Sequence, residues 1–247
     1  MRLAEKSCVA AICLFLLFCP VLLQAQSLFD FGINLALGFP QGELKDNVDN
    51  IGIGASGFFL YNFPQSPFSI GGTVTYQMYG SETEKRPWST TIPNVYLDVT
   101  TSNNLLLGHI LLRVQSTRQS AVCPYVDGLF GFGYFWTETK VESEAYTGDD
   151  DNEIARSVQM DDAALSYGFG GGLMIRVFDG TRSDEKGLEG VYIDLGVRYL
   201  KGGEATYMKE GDIVVDPETG SVTYNSHKSH TDILTAHIGV SFKISPN

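Results

Sequence analysis

Asp30, His109, Arg113, Asp127, Arg176, Asp194, Arg198, His237 and Lys243 each sit at an odd–even parity that their apolar neighbours avoid. Both signs of charge are present, and so are two imidazoles. If these side chains share one enclosed space, the physically sensible outcome is mutual pairing, because an unpaired buried charge is costly. A polar plug that rigidifies its container is the plain expectation. A sharper one is a narrow gated conduit, opened when an ion pair switches partners.

Catalysis needs more than this. His237 and Ser241 lie four residues apart on one face, and His227 and His230 precede Asp232. Either group could serve an enzyme. No G-x-S-x-G occurs, however, and nothing fixes a base beside a nucleophile. The run His227-Lys-Ser-His230 offers two metal donors in a loop, too few to specify a site. Asp149, Asp151 and Glu153 suggest a calcium loop, but Ile154 occupies the place of its glycine and Met160 that of its bidentate Glu. Weak divalent contact is the most these carboxylates support. Gly168-Phe-Gly-Gly-Gly172 lacks the spacing and context of a nucleotide loop. Neither catalytic residues, nor a metal site, nor a cofactor is expected.

The elements that position these side chains repeat a period of two, which means strands. Phe29, Phe31, Ile33, Leu35, Leu37 and Phe39 share one face, and Asp30, Gly32, Asn34, Ala36 and Gly38 the other. About eight such segments follow one another: Phe29–Phe39, Ile51–Phe63, Phe68–Gly80, one within Val95–Val114, Tyr125–Thr139, Leu165–Val177, Val191–Tyr199 and Leu234–Ile244. Phe58 and Leu60 break the parity of the second. Polar connections at Pro40–Asn50, Ser81–Asn94, Lys140–Ala163 and Gly202–Thr231 alternate with shorter ones at Pro64–Pro67, Gln115–Pro124 and Asp179–Gly190. That alternation predicts an all-β, closed up-and-down antiparallel barrel with its longer loops at one end.

The composition of the two faces says which solvent each meets. Gly, Ser and Thr dominate the polar face, which suits the cramped interior of an eight-stranded barrel rather than a water-washed surface. Aromatics such as Tyr61, Phe63, Tyr76, Tyr134, Trp136, Tyr199 and Phe242 gather near strand ends, as membrane girdles do. The apolar face is therefore expected to touch lipid, making the barrel transmembrane. A soluble lipocalin-like carrier is the alternative in which the faces are reversed.

Lys and Arg number 17 against 29 Asp and Glu, a net charge of −12, which argues against nucleic acid. Arg2 and Lys6 precede an apolar run from Cys8 to Leu23 that closes on Leu23-Gln24-Ala25, a secretory signal peptide over 1–25 with the barrel domain over 26–247. Three of the four cysteines fall in that segment, so the mature chain retains Cys123 alone and no internal disulfide can form.

With its signal segment, strand pattern and last strand Leu234-Thr-Ala-His-Ile-Gly-Val-Ser-Phe242, the chain resembles the small eight-stranded outer-membrane barrels of Gram-negative bacteria, the OmpA/OmpX-like group. It departs from them in continuing through Lys243-Ile-Ser-Pro-Asn247 beyond the aromatic. The resemblance implies a porin-like barrel in the bacterial outer membrane, its long loops outside, in contact with lipid and lipopolysaccharide. No peptidoglycan-binding domain follows, so an anchoring role is not implied. A monomer with a structural or surface-interaction role is expected, serving envelope integrity or meeting an extracellular ligand through its acidic loops; the alternative that the resemblance brings is an enzyme that modifies lipid A.

Overall fold

The computed structural model describes residues 27–87, 96–116, 120–143, 153–180, 187–215 and 221–245. The expected signal segment lies outside these residues. Eight strands close into one barrel: β1 (Phe29–Pro40), β2 (Gly52–Asn62), β3 (Phe68–Pro87), β4 (Tyr96–Gln115), β5 (Val122–Ser143), β6 (Glu153–Asp179), β7 (Leu188–Gly202) and β12 (Ile233–Ile244). Each neighbouring pair is antiparallel, and β1 meets β12 from Phe29↔Ile244 to Pro40↔Ile233. Four short strands, β8 (Glu204–Tyr207), β9 (Ile213–Val215), β10 (Val222–Tyr224) and β11 (His227–His230), pair as β8–β11 and β9–β10 between β7 and β12.

The outer wall is apolar on every barrel strand. Ile33, Ile53, Val74, Ile110, Phe130, Phe169, Val197 and Ile238 all lie exposed there, Ile33 at 71%. Phe31, Ile193 and Ile238 do not converge on a centre: Phe31 stacks on Phe242 with ring centroids 5.0 Å apart, on the same outer surface. A water-soluble surface does not sustain so large a continuous apolar belt. Lipid does, and closure leaves no unpaired backbone margin at membrane depth. The chain is a transmembrane barrel. Aromatic rings mark both rims of the belt, with Phe29, Phe59, Tyr61 and Phe63 in mutual contact at one end and Tyr76, Tyr134 and Trp136 at the other.

The tight turn at Pro64–Pro67 closes by Phe63 N–H donating to the Phe68 carbonyl at 3.1 Å. Gln65 there adopts a φ of 58°, the left-handed conformation that such a reversal needs.

At the opposite end the structure corrects the sequence reading in three places. First, Ser81–Asn94 and Lys140–Ala163 are not wholly loops. Strand β3 runs on to Pro87, β5 to Ser143, and β6 begins at Glu153. Beyond the belt both faces of a strand meet water, so no alternation marks it; polar cross-strand pairs such as Thr83 with Thr100 (2.9 Å) replace the apolar ones. At 27 residues, β6 is more than twice the length of β1, and the projecting portion of the sheet reaches roughly 25–30 Å along the strands. The β2–β3 ladder stops at Ile53↔Met78 and the β6–β7 ladder begins at Ser166↔Gly202, so β3 and β6 are the margins of this projection.

Second, Pro40–Asn50 contains a helix, α1 (Gly42–Asn47), too short to persist on propensity. Leu44 and Val48, 3% exposed each, fix it by inserting into the barrel mouth.

Third, the lumen is not polar throughout. Leu105, Leu107, Leu111, Leu129 and Phe135 point inward and pack with Leu44, Val48, Tyr79, Leu200, Ala205, Tyr207 and Ile233 in one buried cluster. The parity exceptions Phe58 and Leu60 belong to the same cluster, which explains them. The interior thus mixes apolar and polar side chains along its length, with its ion pairs gathered in the half toward the short turns.

Candidate functional site

Near the short-turn end, Asp30 on β1 is completely buried and gathers four donors. Ser27 Oγ, Asn62 Nδ2 and Gln115 Nε2 donate to it at 3.0, 2.8 and 3.0 Å. Lys243 Nζ on the facing strand stands 3.6 Å away and 5.1 Å over the Tyr192 ring. Asn62 Oδ1 in turn accepts from Ser69 Oγ at 2.5 Å and Gln115 Nε2 at 2.9 Å, closing a knot across β1, β2, β3 and β4.

Midway along the axis, Asp127 on β5 holds two guanidinium groups. Arg113 donates to it in fork fashion, Nε to Oδ1 at 2.7 Å and Nη2 to Oδ2 at 2.9 Å. Arg198 Nη2 reaches the same Oδ2 at 3.2 Å from β7, on the other side of β6. The planar Arg113 head also lies 3.7 Å from the centroid of Tyr125 and 4.9 Å from that of Phe58, an arrangement lysine could not reproduce. Tyr125 Oη donates to Asp194 Oδ1 at 2.7 Å, which leaves the phenol oxygen to accept from His237 Nε2 at 3.1 Å. His237 Nε2 stands 3.7 Å from Asp194 Oδ2. Glycines opposite make this possible: a Cβ on Gly172 or Gly196 would come within 2.4 and 2.5 Å of the Tyr125 hydroxyl. Gly196→Ala is therefore expected to displace Tyr125 and His237 together, visible as coupled shifts of both side chains in NMR spectra of the folded barrel.

Of the sequence-derived set, Asp30, Arg113, Asp127, Asp194, Arg198, His237 and Lys243 form these two groups. His109 stands apart, its Nε2 2.9 Å from Ser166 Oγ. Arg176 also stands apart. It keeps the inward parity, opposite the buried Tyr192 and between the exposed Ile175 and Val177, but it lies at the rim and pairs with Asp179 at 3.4 Å rather than joining either group. Tyr125, Asn62, Ser69 and Gln115 carry as much of the network as the charges do. Parity with Asp127 would have revealed Tyr125; Gln115 lay in a stretch that reads as a connection.

The alternative chemistry does not assemble. Ser241 Oγ turns to Met174 Sδ at 3.6 Å, while His237 is engaged by Tyr125. His227 faces Asp212 at 3.2 Å, and the His230 backbone N–H donates to Glu43 at 3.0 Å. No cluster of three His, Cys, Asp or Glu side chains suited to a metal occurs among the described residues. Asp149 and Asp151 lie outside those residues, and Glu153 opens β6.

The connections over the mouth are tied down. Tyr79 Oη donates to the Met208 carbonyl at 3.0 Å, Asn47 Nδ2 donates to Tyr207 Oη at 3.1 Å, and Tyr207 and Ser229 hydroxyls lie 2.7 Å apart. Just past the outer aromatic ring, Asp162 accepts the Thr206 backbone N–H at 2.8 Å. That bond, more than any other influence, holds the Asp162 carboxyl below its ordinary value. A depressed folded-state value means the tie is present above the usual carboxylate range and lost as pH falls through the lowered one. The Thr206 amide NMR signal should therefore move on acidification, and the Asp162→Asn variant should abolish that movement.

Above the mouth lies a cleft of about 360 Å³ between the concave face of the projecting sheet and the β9–β10 hairpin.

No family profile matches the chain, and no curated protein sequence matches it. Among solved structures it is similar to Neisserial surface protein A (NspA), at 11% identity over 90% of this chain and 100% of that one, with a TM-score of 0.39. It is also similar to Ail, the attachment invasion locus protein of Yersinia pestis, at 12% identity over 89% of this chain and 98% of that one, with a TM-score of 0.35. A second Ail structure, in complex with the heparin analogue sucrose octasulfate, gives 12% identity and a TM-score of 0.36.

Proposed function

We propose that this chain is a bacterial outer-membrane protein whose work is done by its projecting sheet and folded long connections on the outer face, with the barrel as a sealed, non-catalytic anchor. The supporting observation is the contrast between the two ends: the lumen is filled by ion pairs and an apolar cluster, while β3 to β6 continue beyond the belt as a sheet whose margins, outside the 162–165 stretch of β6 bonded by Gly203 and Thr206, meet no further strand among the described residues. Such margins pair readily with other chains. Export by the segment over 1–25, and contact of the belt with lipid and lipopolysaccharide acyl chains, belong to the same reading. A polyanion of the kind found with Ail does not suit a chain of net charge −12.

The test uses a single introduced thiol. Ser157→Cys on the projecting part of β6, in a Cys123→Ser background, should react with a membrane-impermeant maleimide on intact cells. An unlabelled thiol on intact cells that labels after lysis would place the projection on the inner side and remove the proposal. Separately, purified protein added to a planar lipid bilayer should show no stepwise conductance, because leucines and Phe135 close the axis. Discrete ion currents would restore the conduit.

A further inference from the structure

The cleft above the mouth differs in character from the luminal network beneath it. Its floor is the concave face of the sheet beyond the β3 bulge at Met78/Gly80, which brings Glu82, Glu84 and Arg86 to that face. Its far wall is the β9–β10 hairpin, contributing Ile213, Val222 and Tyr224. Between them, the Thr101 and Thr139 hydroxyls lie 3.3 Å apart and satisfy each other, so these residues offer mainly their methyl groups. The cleft surface is accordingly more apolar than its residue names suggest.

The charges are unequally committed. Arg86 is tied to Glu84, with Nε donating to Oε2 at 3.0 Å. Glu210 accepts from Asn50 Nδ2 at 3.0 Å. Glu82 is left as the lining carboxylate to which no such partner is assigned among the described residues, in a cleft that the half-exposed Tyr224 ring also lines. Three carboxylates face two cations, so the lining carries a net charge of −1. A volume of about 360 Å³ accommodates two or three side chains of a bound segment.

We infer that this cleft binds a short peptide segment in which a lysine or arginine lies between apolar side chains, the cation meeting Glu82 and the apolar groups meeting Val99, Ile213, Val222 and Tyr224. An acidic or polyanionic ligand would meet Glu82, Glu84 and Glu210 at once. The inference deepens the surface-contact reading above by naming the chemistry of the partner, and it rests on that reading for its biological setting.

The test is fluorescence anisotropy with dansyl-labelled Leu-Lys-Leu amide and Leu-Glu-Leu amide at low salt, using purified full-length barrel in micelles and empty micelles as the blank. The lysine peptide should bind saturably and the glutamate peptide should not. Glu82→Gln should weaken the lysine peptide two- to fivefold, the range of one exposed ion pair. Lys209→Gln, which removes a repelling cation, should tighten it, and Tyr224→Ala should weaken it more than fivefold. These residues lie beyond the apolar belt, so each variant should retain the heat-induced gel shift of the wild type. Absence of saturable binding, equal binding of the two peptides, or variants that all match wild type overturns the inference. The measurement is blind to which side of a membrane the cleft faces, whereas thiol labelling on cells is blind to what the cleft binds, so the two proposals fail separately.

Discussion

Replacing Asp127 by alanine is expected to be the most damaging single change to this barrel, costing about 3–5 kcal/mol, as when one partner of a buried ion pair is removed. Asp127 is 1% exposed and is the shared anion for Arg113 and Arg198, themselves 1% and 3% exposed. Without it two guanidinium groups remain enclosed beside each other in a wall of hydrocarbon and phenol rings. Urea titration of the refolded protein, read by the heat-induced gel shift, should show a large drop in midpoint or no folded band. Asp127→Asn keeps the shape and should fail almost as badly, because the loss is of charge. Combining Asp127→Asn with Arg113→Leu and Arg198→Met should recover much of the stability, since filling such a site with hydrocarbon is often neutral or better. A wild-type midpoint for Asp127→Ala would mean that the guanidinium groups are solvated and the lumen is open.

The second large effect separates two adjacent residues of β4. Leu111 is fully buried inside the barrel and Ile110 is 57% exposed on its outer wall. Leu111→Ala should cost about 2–4 kcal/mol, because the packed interior cannot collapse into the space left behind. Ile110→Ala should cost under about 1 kcal/mol, since a fluid acyl chain fills the gap and the neighbouring wall loses few contacts. Unfolding midpoints of the two variants in the same lipid vesicles decide the matter. Equal losses would mean that both side chains face the same medium, contradicting the assigned faces of the wall.

Alternation in the sequence was most legible where two different media enforce it. In β1 every outward residue from Phe29 to Phe39 is apolar and every inward one small or polar, and the pairing of Asp30 with Lys243 across the closing seam follows from that parity. The signal fails where the two faces see the same medium. In β4, Leu105-Leu-Leu107 and Ile110-Leu-Leu112 run without alternation, since lipid lies on one side and the apolar cluster on the other. In the projection, Glu82-Thr-Glu-Lys-Arg86 reads as a loop because water bathes both sides. Arg176 keeps its inward parity, but parity alone does not say that it lies at the rim, where Asp179 is its partner. Tyr125 was overlooked for a different reason: a tyrosine near a strand end resembles a girdle residue until the inward glycines that make room for it are noticed.

The seam between Phe29 and Ile244 also governs how the molecule must come to exist. Partners separated by nearly the whole polypeptide meet last, and contacts of such long range form slowly. Until they meet, strands rich in valine, leucine and phenylalanine carry bare hydrogen-bonding margins, the condition under which nascent chains aggregate. The whole run from β1 to β12 must therefore be laid out before this barrel can shut.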